Sequence, residues 1–550
     1  MKIALSQLNY HIGNFERNTE KIIQSIIKAE KQNADLIIFS ELCICGYPPQ
    51  DLLEKKEFIN KSNQSIKTIT ELNTKTGIII GAPQINNNAT GKNLYNSAIF
   101  IHKGKIEFIQ HKTLLPTYDI FDEYRYFEPN SKFNILKFKN KKIAITICED
   151  LWYKQPVYDA FNKSKIYNVS PIEKLMQYKP DFIVNIAASP YSHNKEWIKR
   201  KILLSNANKY KLPIFYVNQV GANTELIFDG GSMVINNNGE IIKTLNYFNE
   251  DFYLINLEDV NKTSILKNLN QNKIEKIHNA LILGIRDYFS KMNFKHAVIG
   301  LSGGIDSAVT AVLAQKALGS ENVRVLLMPS KYSSDHSITD AKDLAENLNI
   351  RYDIINIEDI VNQFSTALDF VFKGTEEDIA EENIQSRIRG TLLMALSNKF
   401  GSILLNTSNK SEVAVGYGTL YGDMSGGLSI LGDVYKSEVF ELANYINSEK
   451  EIIPKNTITK PPSAELKPNQ KDTDSLPEYS LLDKILFNYI ELQKSKNDII
   501  KQGFDTKIVN NIIKLVNNNE YKRFQTPPIL RVSSKGFGTG RRIPLVAKFD

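Results

Sequence analysis

Gly300-Leu301-Ser302-Gly303-Gly304-Ile305-Asp306-Ser307 is the stretch that decides the fold of this 550-residue chain. The apolar run that leads into it, residues 296–301, has the length of a buried strand. Ile305, Ala308, Val309, Val312 and Leu313 follow, spaced for one face of a helix that stops at Gly319. A strand, a tight glycine turn and a helix start together form an anion trap. Gly303 and Gly304 can both take positive φ and carry no Cβ, so successive backbone N–H groups can converge on one phosphate. The helix N-terminus adds unpaired donors and the positive end of its dipole, and Ser302 and Ser307 add hydroxyls. Asp306 is out of place beside an anion unless a divalent cation bridges its carboxylate to the phosphates. Two glycines alone suggest an ordinary serine-capped turn, whereas the whole octet in this context points to a phosphate site.

Outward from the octet, apolar runs at 325–328, 352–357 and 402–406 alternate with helical patterns at 274–289, 339–348 and 377–399. This is the pattern of a doubly wound parallel sheet, which binds ligands beyond the carboxyl ends of its strands. Met328-Pro329-Ser330 and Asn406-Thr407-Ser408-Asn409-Lys410-Ser411-Glu412 fall at such ends. Glu412 can complete a cation site with Asp306 or simply cap a helix. Asn383 and Arg387, four apart, share a helical face that is either ligand-facing or solvated. Residues 417–433 are glycine-rich and read as a segment that shapes the substrate site. Residues 460–476, with Pro461 and Pro462, read as a long loop of the kind that forms lids. Lys522, Arg523 and Lys535 make a late basic cluster, an anion clamp or a solvated tail.

Before residue 258 the pattern differs. Short apolar runs at 3–8, 36–39, 78–80, 98–101, 143–147, 182–186, 214–217 and 232–235 are in part separated by helical stretches and in part close enough for hairpins. That mixture predicts an α/β domain with a pair of mixed sheets over residues 1–258, an asparagine-rich linker over 259–273, and a second domain over 274–550. Glu41, Lys112 and Cys148 sit where apolar runs end, positions from which a rigid sheet presents polar groups to a crevice. A thiol attacks an amide carbonyl if a base takes its proton and a cation holds the oxyanion; Glu41 and Lys112 suit those tasks, with Lys112 also expected to lower the thiol pKa. Taken singly, each of these residues is more often surface charge or core. Cys43 and Cys45 have no second Cys/His pair at ligand spacing and read as core.

Composition narrows the class. Hydrophobic residues at 42% and charged residues at 23% describe a soluble globular protein, and the length calls for more than one core. A net charge of +7 is mild and spread along the chain, so it suits anionic small substrates as well as nucleic acid. Three cysteines provide no disulfide framework, and no signal peptide or membrane-length apolar run is present, which reads as cytoplasmic.

Ser302-Gly303-Gly304-Ile305-Asp306-Ser307 resembles the pyrophosphate loop of the N-type ATP pyrophosphatases, implying cleavage of ATP between its α and β phosphates. Phe39-Ser40-Glu41-Leu42-Cys43-Ile44-Cys45-Gly46-Tyr47-Pro48-Pro49, His111-Lys112-Thr113-Leu114-Leu115-Pro116 and Ile147-Cys148-Glu149-Asp150-Leu151-Trp152 resemble, in order, the three signature segments of the nitrilase superfamily. That likeness implies an α-β-β-α sandwich with Glu41, Lys112 and Cys148 as catalytic triad and Glu123 in a supporting role. The fusion of the two halves, with Asn406 to Glu412 and the late Lys522-Arg523-Phe524-Gln525-Thr526-Pro527-Pro528, is similar to the glutamine-dependent NAD synthetase family. The resemblance implies glutamine contacts at Tyr118, Ser189 and Lys195. It implies an ATP site at Gly300, Leu301, Ser302, Gly303, Gly304, Ile305, Asp306, Ser307 and Thr407, and deamido-NAD contacts at Asn383, Glu412 and Lys535. Mg²⁺ would be held by Asp306 and Glu412, with ATP as co-substrate and a homo-oligomer formed through the synthetase half. Two rivals are a glutamine-fed amidation of another adenylated carboxylate and a tRNA-modifying, RNA-binding protein. Against the latter, there is no long basic patch interleaved with aromatics, and the second half holds no cysteine for thiolation.

Overall fold

The computed structural model describes residues 1–154, 166–193, 196–262, 272–468 and 470–548. Most of the expected linker, and Lys195, lie outside the described residues. The chain forms two compact units, Met1–Asn270 and Gln271–Asp550.

The first unit is built on two six-stranded sheets. One runs, in spatial order, Asp251–Asn256, Lys2–Gln7, Leu36–Ile38, Gly77–Ile85, Leu94–His102 and Lys105–His111. The other runs Ile241–Thr244, Met233–Ile235, Ile214–Asn218, Phe182–Ala187, Lys141–Ile147 and Leu136–Phe138. In both, the inner pairs are parallel and the outer pairs antiparallel. The period of two along each strand sorts side chains into layers. Ile3, Leu5, Leu36, Ile38, Ile79 and Phe100 share a core with Ile143, Ile145, Phe182 and Val184 of the other sheet. Their neighbours Ala4, Ile37, Ile78, Ile80 and Ile99 pack instead with Ile22, Ile26, Ile66 and Ile69 from the helices Phe15–Lys31 and Lys56–Glu71. Strands buried on both faces lose the apolar/polar alternation, which is why they read as continuous apolar runs. Helices Pro171–Met176 and Glu196–Tyr210 supply Ile172, Leu175, Leu203 and Ala207 to the second sheet, completing an α-β-β-α sandwich.

The second unit holds a five-stranded, wholly parallel sheet in the order Arg351–Ile354, Val323–Leu327, His296–Gly300, Ser402–Asn406, Leu428–Ser429. The chain enters at the middle strand, builds two strands to one side, then crosses to build two on the other. The octet therefore leaves the sheet where the winding reverses, the place where such sheets open a crevice. Between the 460–476 loop and the late basic cluster, where the sequence carried no assignment, the chain folds a helical layer whose core includes Leu482, Ile485, Val509, Ile512 and Val516. Helix Glu358–Phe372 was likewise not anticipated, and none of its residues is fully buried. Among the described residues, no helix is long and apolar enough to cross a membrane.

Candidate active sites

In the first unit Glu41, Lys112 and Cys148 are brought together from separate segments. The Lys112 ammonium lies 2.7 Å from Glu41 Oε1 and 2.8 Å from Glu123 Oε1, and all three side chains are almost wholly buried. Each carboxylate is further held. Glu41 accepts from Asn96 Nδ2 at 2.7 Å and from the Ala188 N–H at 3.0 Å, and Glu123 accepts from the Tyr47 hydroxyl at 2.9 Å. Buried charge survives only when paired in this way. Burial works against the Lys112 charge, yet Glu123 and Glu41 outweigh it and raise its pKa above the usual lysine value. Burial also pushes Glu123 up to about 7, against the pull of Lys112.

Cys148 begins a tight turn after the strand Lys141–Ile147, with φ +42°, a backbone conformation that side chains with a Cβ rarely adopt. Asn185 Nδ2 donates to its carbonyl at 3.3 Å. The Asp150 carboxylate accepts from the N–H groups of Ile147, Thr113 and Leu114 at 3.0, 2.9 and 2.9 Å, tying the cysteine turn to the residues that follow Lys112. Sequence reading expected Lys112 to lower the Cys148 pKa. Lys112 does pull it down, but burial and then Glu41 dominate and hold the thiol well above its ordinary value. Tyr118 donates to Glu149 Oε1 at 2.8 Å, alongside Tyr167 at 2.9 Å, next to the cysteine in sequence. Ser189 follows Ala188, whose N–H meets Glu41, and its own N–H is fixed by Asn218 Oδ1 at 2.8 Å. Cys43 and Cys45 are fully buried, as expected of core residues.

In the second unit the octet forms a strand end, a turn and the start of helix Ile305–Leu318. Only Gly303 takes positive φ, at +80°, and a Cβ there would lie 2.3 Å from the Ser337 carbonyl oxygen. Gly304 does not: its φ is −78°, because it is the helix N-cap and extended backbone suffices there. Ser302 Oγ accepts from the Gly304 N–H at 3.2 Å, and Ser307 Oγ donates to the Gly304 carbonyl at 3.0 Å, which tightens the turn. All octet residues except Gly303 line a cavity of about 610 Å³, together with Thr407, Glu412 and Met328. Parts of the 460–476 loop, Pro461, Glu465 and Asp472 among them, line it too. Asn383 and Lys535 are not among its lining residues. Asn383 Oδ1 accepts from Thr419 Oγ1 at 2.7 Å, and Lys535 sits on the C-terminal segment.

Asp306 and Glu412 converge on one cation, the Lys436 ammonium, at 2.5 and 3.3 Å. Asn409 Nδ2 also donates to Asp306 at 2.9 Å. Burial pushes Glu412 up to about 8, against the pull of Lys436. Among the described residues no group of three or more His, Cys, Asp or Glu is arranged around one metal position. Two carboxylates alone suit Mg²⁺, which takes one or two from protein and fills its remaining places with water and substrate phosphates. Lys436 escaped sequence reading. Its signal was a lysine on the first turn of a helix, Lys436–Ile446, where the dipole disfavours a cation unless acids from elsewhere face it. Arg389, with Nε donating to the Met328 carbonyl at 3.1 Å, was a second unanticipated lining residue.

Residues 2–263 match the carbon-nitrogen hydrolase family and residues 277–526 the NAD synthase family. The glutamine-dependent NAD(+) synthetase of Synechocystis sp. is 45% identical over the whole of this chain and 99% of its own length. That of Thermotoga maritima is 39% identical over the whole chain and 99% of its own length. The structure of glutamine-dependent NAD+ synthetase from Acinetobacter baumannii, in complex with ADP, superposes with a TM-score of 0.77 at 38% identity, covering 99% of this chain and 98% of that one. A glutamine-dependent NAD(+) synthetase structure from Cytophaga hutchinsonii superposes at 0.83 with 19% identity over all of this chain and 98% of that one, a likeness of fold. With both halves matched in order and full-length relatives well above 30% identity, this chain belongs to the glutamine-dependent NAD(+) synthetase family.

Proposed function

We propose that the residues described above divide one reaction between them: the amidation of deamido-NAD to NAD at the expense of ATP, with ammonia taken from glutamine. The observation that carries the reading is the buried Glu41–Lys112–Glu123 cluster beside Cys148 in a chain that also holds a phosphate loop.

In the first unit Cys148 Sγ attacks the side-chain amide carbon of glutamine as Glu41 takes the thiol proton. Lys112 donates to the developing oxyanion. Glu41 returns the proton to the leaving nitrogen, ammonia departs, and a γ-glutamyl thioester remains. Glu41 then takes a proton from water, which attacks the thioester, releasing glutamate and the thiol. Burial and the Glu41 charge both disfavour the thiolate at Cys148, which is why the step is assigned a base. Tyr118, Ser189 and Lys195 are assigned to holding glutamine, and Glu123 to keeping Lys112 charged and in place.

In the second unit the nicotinate carboxylate of deamido-NAD attacks the α-phosphorus of ATP, giving an acyl adenylate and pyrophosphate; ammonia then displaces AMP. Gly303, the N–H groups at the start of helix Ile305–Leu318, and the hydroxyls of Ser302, Ser307 and Thr407 receive the phosphates. Asp306 and Glu412 are the residues that would hold Mg²⁺, which when bound spreads the charge growing on the leaving pyrophosphate. Lys436 supplies a further fixed positive charge. Asn383, Glu412 and Lys535 are assigned to deamido-NAD.

Two broader assignments belong with this reading. Phe370 is 88% and Val371 70% exposed on helix Glu358–Phe372, which supports self-association of the synthetase half; a monomer in sedimentation at working concentration would remove that assignment. Three unpaired thiols support a cytoplasmic location, which an extracellular location of the tagged protein would refute. The test of the function is an assay with deamido-NAD, ATP, Mg²⁺ and glutamine. Equimolar NAD, AMP and pyrophosphate are expected, and ADP with inorganic phosphate in their place would overturn the adenylate route.

A further inference from the structure

Away from the reacting groups, one lysine is more deeply buried than any the mechanism uses. Lys410, the first residue of helix Lys410–Val415, has no exposed side-chain surface, and neither has Asp433, 2.9 Å from its ammonium. Glu491 meets the same ammonium from the end of the π-helical turn Phe487–Glu491. Two further oxygens complete the shell, Ser533 Oγ at 2.8 Å and the backbone carbonyl of Lys535 at 2.9 Å. Three N–H hydrogens are shared among four oxygens, all of which come from outside Lys410's own helix and the strands of the sheet.

The carboxylates of this cluster are occupied chiefly by the C-terminal segment. Asp433 accepts from the N–H groups of Val532 and Ser533 at 2.8 and 2.7 Å and from Ser533 Oγ at 2.7 Å. Glu491 Oε2 accepts from Ser534 Oγ. Residues 533–538 belong to no helix or strand, so no backbone ladder sets their path. The nearby ladder contacts, Ser429 N–H to the Pro528 carbonyl at 2.8 Å and Leu530 N–H to the Ser429 carbonyl at 3.1 Å, end before them. Oxygens converging on the Lys410 ammonium, together with Arg531 donating to the Ser533 and Ser534 carbonyls at 3.2 and 2.6 Å, hold the path in place of a ladder.

Along the chain the same residue is joined to the ATP half of the site through its neighbour. Lys410 adjoins Asn409, whose Nδ2 holds Asp306 at 2.9 Å and whose Oδ1 caps the Glu412 N–H at 3.0 Å. A buried ion cluster is a poor way to add stability, because apolar packing of the same volume does as well or better. Its distinctive effect is to specify geometry. We propose that Lys410, with Asp433 and Glu491, is a positioning residue that sets the register of the C-terminal segment, and hence of Lys535, against the loop that carries Asn409 and Glu412. This rests on the assignment of Lys535 to deamido-NAD, and it adds what places that residue. The ATP loop, residues 300–307, is seated chiefly by its own strand and helix, and the bonds that reach it from this side end on Asp306, from Asn409 and Lys436.

The experiment is steady-state kinetics of the full-length enzyme with ammonium chloride as nitrogen source, for wild type, Lys410→Met, Glu491→Gln and Lys535→Met. A displaced Lys535 raises KM for deamido-NAD about tenfold in Lys410→Met and by a smaller but clear factor in Glu491→Gln, while KM for ATP stays within about twofold. Both KM values rising together, or neither rising, overturns the proposal. If Lys410→Met fails to fold, the isosteric Glu491→Gln decides by the same split. Lys535→Met separates the two layers. An unchanged KM for deamido-NAD there refutes the assignment of Lys535; a raised KM there with wild-type values in the other two variants refutes the positioning role alone.

Discussion

Both units place a lysine between two carboxylates, and the two trios differ in how finished they are. Lys112 sits between Glu41 and Glu123 with side chains 1%, 1% and 6% exposed, and every oxygen bond described there is internal. Lys436 sits between Asp306 and Glu412, whose side chains keep 17% and 16% of their surface beside a large cavity. On the proposed function, the first would act on the glutamine amide as it stands, and the second would face the substrate phosphates, with Asp306 and Glu412 the residues that would hold a divalent cation. The two trios carry the same formal charges, one ammonium to two carboxylates, and differ in access: one is shut off from solvent and the other opens on the cavity.

Removing chemistry from each trio's neighbourhood gives the largest predicted contrast. Cys148→Ala loses glutamine-supported NAD synthesis by about 10³-fold or more, while synthesis from ammonium salts stays within about twofold. Asp306→Asn loses synthesis from either nitrogen source by about 10²-fold or more. Loss of ammonium-supported synthesis in Cys148→Ala would break the separation of the two sites.

Removing the lysines tests the difference in closure. Lys112→Met strands two buried carboxylates and should cost its unit about 3–5 kcal/mol, whereas Lys436→Met leaves partly solvated acids and should cost roughly 1 kcal/mol. Hydrogen exchange followed separately over the strands of each unit measures both, and equal losses would erase the distinction.

The smallest effect is a pH slope. Glu123 has its folded-state pKa raised from its ordinary value of 4.5 to about 7, chiefly by burial. The folded state then holds more protons than the unfolded state between those values, so this group's contribution is full below about 4.5 and is lost as pH rises through about 7. Glu123→Gln should flatten the fall in urea midpoint between pH 5 and 8, and a slope equal to that of wild type would contradict the shifted carboxylate.

How much of this was legible beforehand depended on whether the information was local. The octet, the strand His296–Gly300 before it and the stop at Gly319 were readable because glycine, serine and apolar spacing act within a few residues. The strand Ser402–Asn406 was readable to the residue for the same reason. Glu41, Lys112 and Cys148 were found at run ends and by resemblance, and the sandwich brings all three together. Gly304 was misjudged because a glycine signals permission for positive φ and not its use. The Cys148 pKa was misjudged because sequence shows a nearby lysine but not the burial that outweighs it. Lys436 and the Lys410 cluster could not be read: their partners lie 23 to 130 residues away, and each lysine alone looks like an ordinary helix-start residue.

The turn at Cys148 has one further consequence. Its φ of +42° is a conformation in which glycine would rest most easily, so the chain keeps a side chain there against local preference. Evolutionary drift at this codon towards glycine would relax the backbone and silence the enzyme in a single step, leaving a well-folded protein that makes NAD only where ammonia is already plentiful.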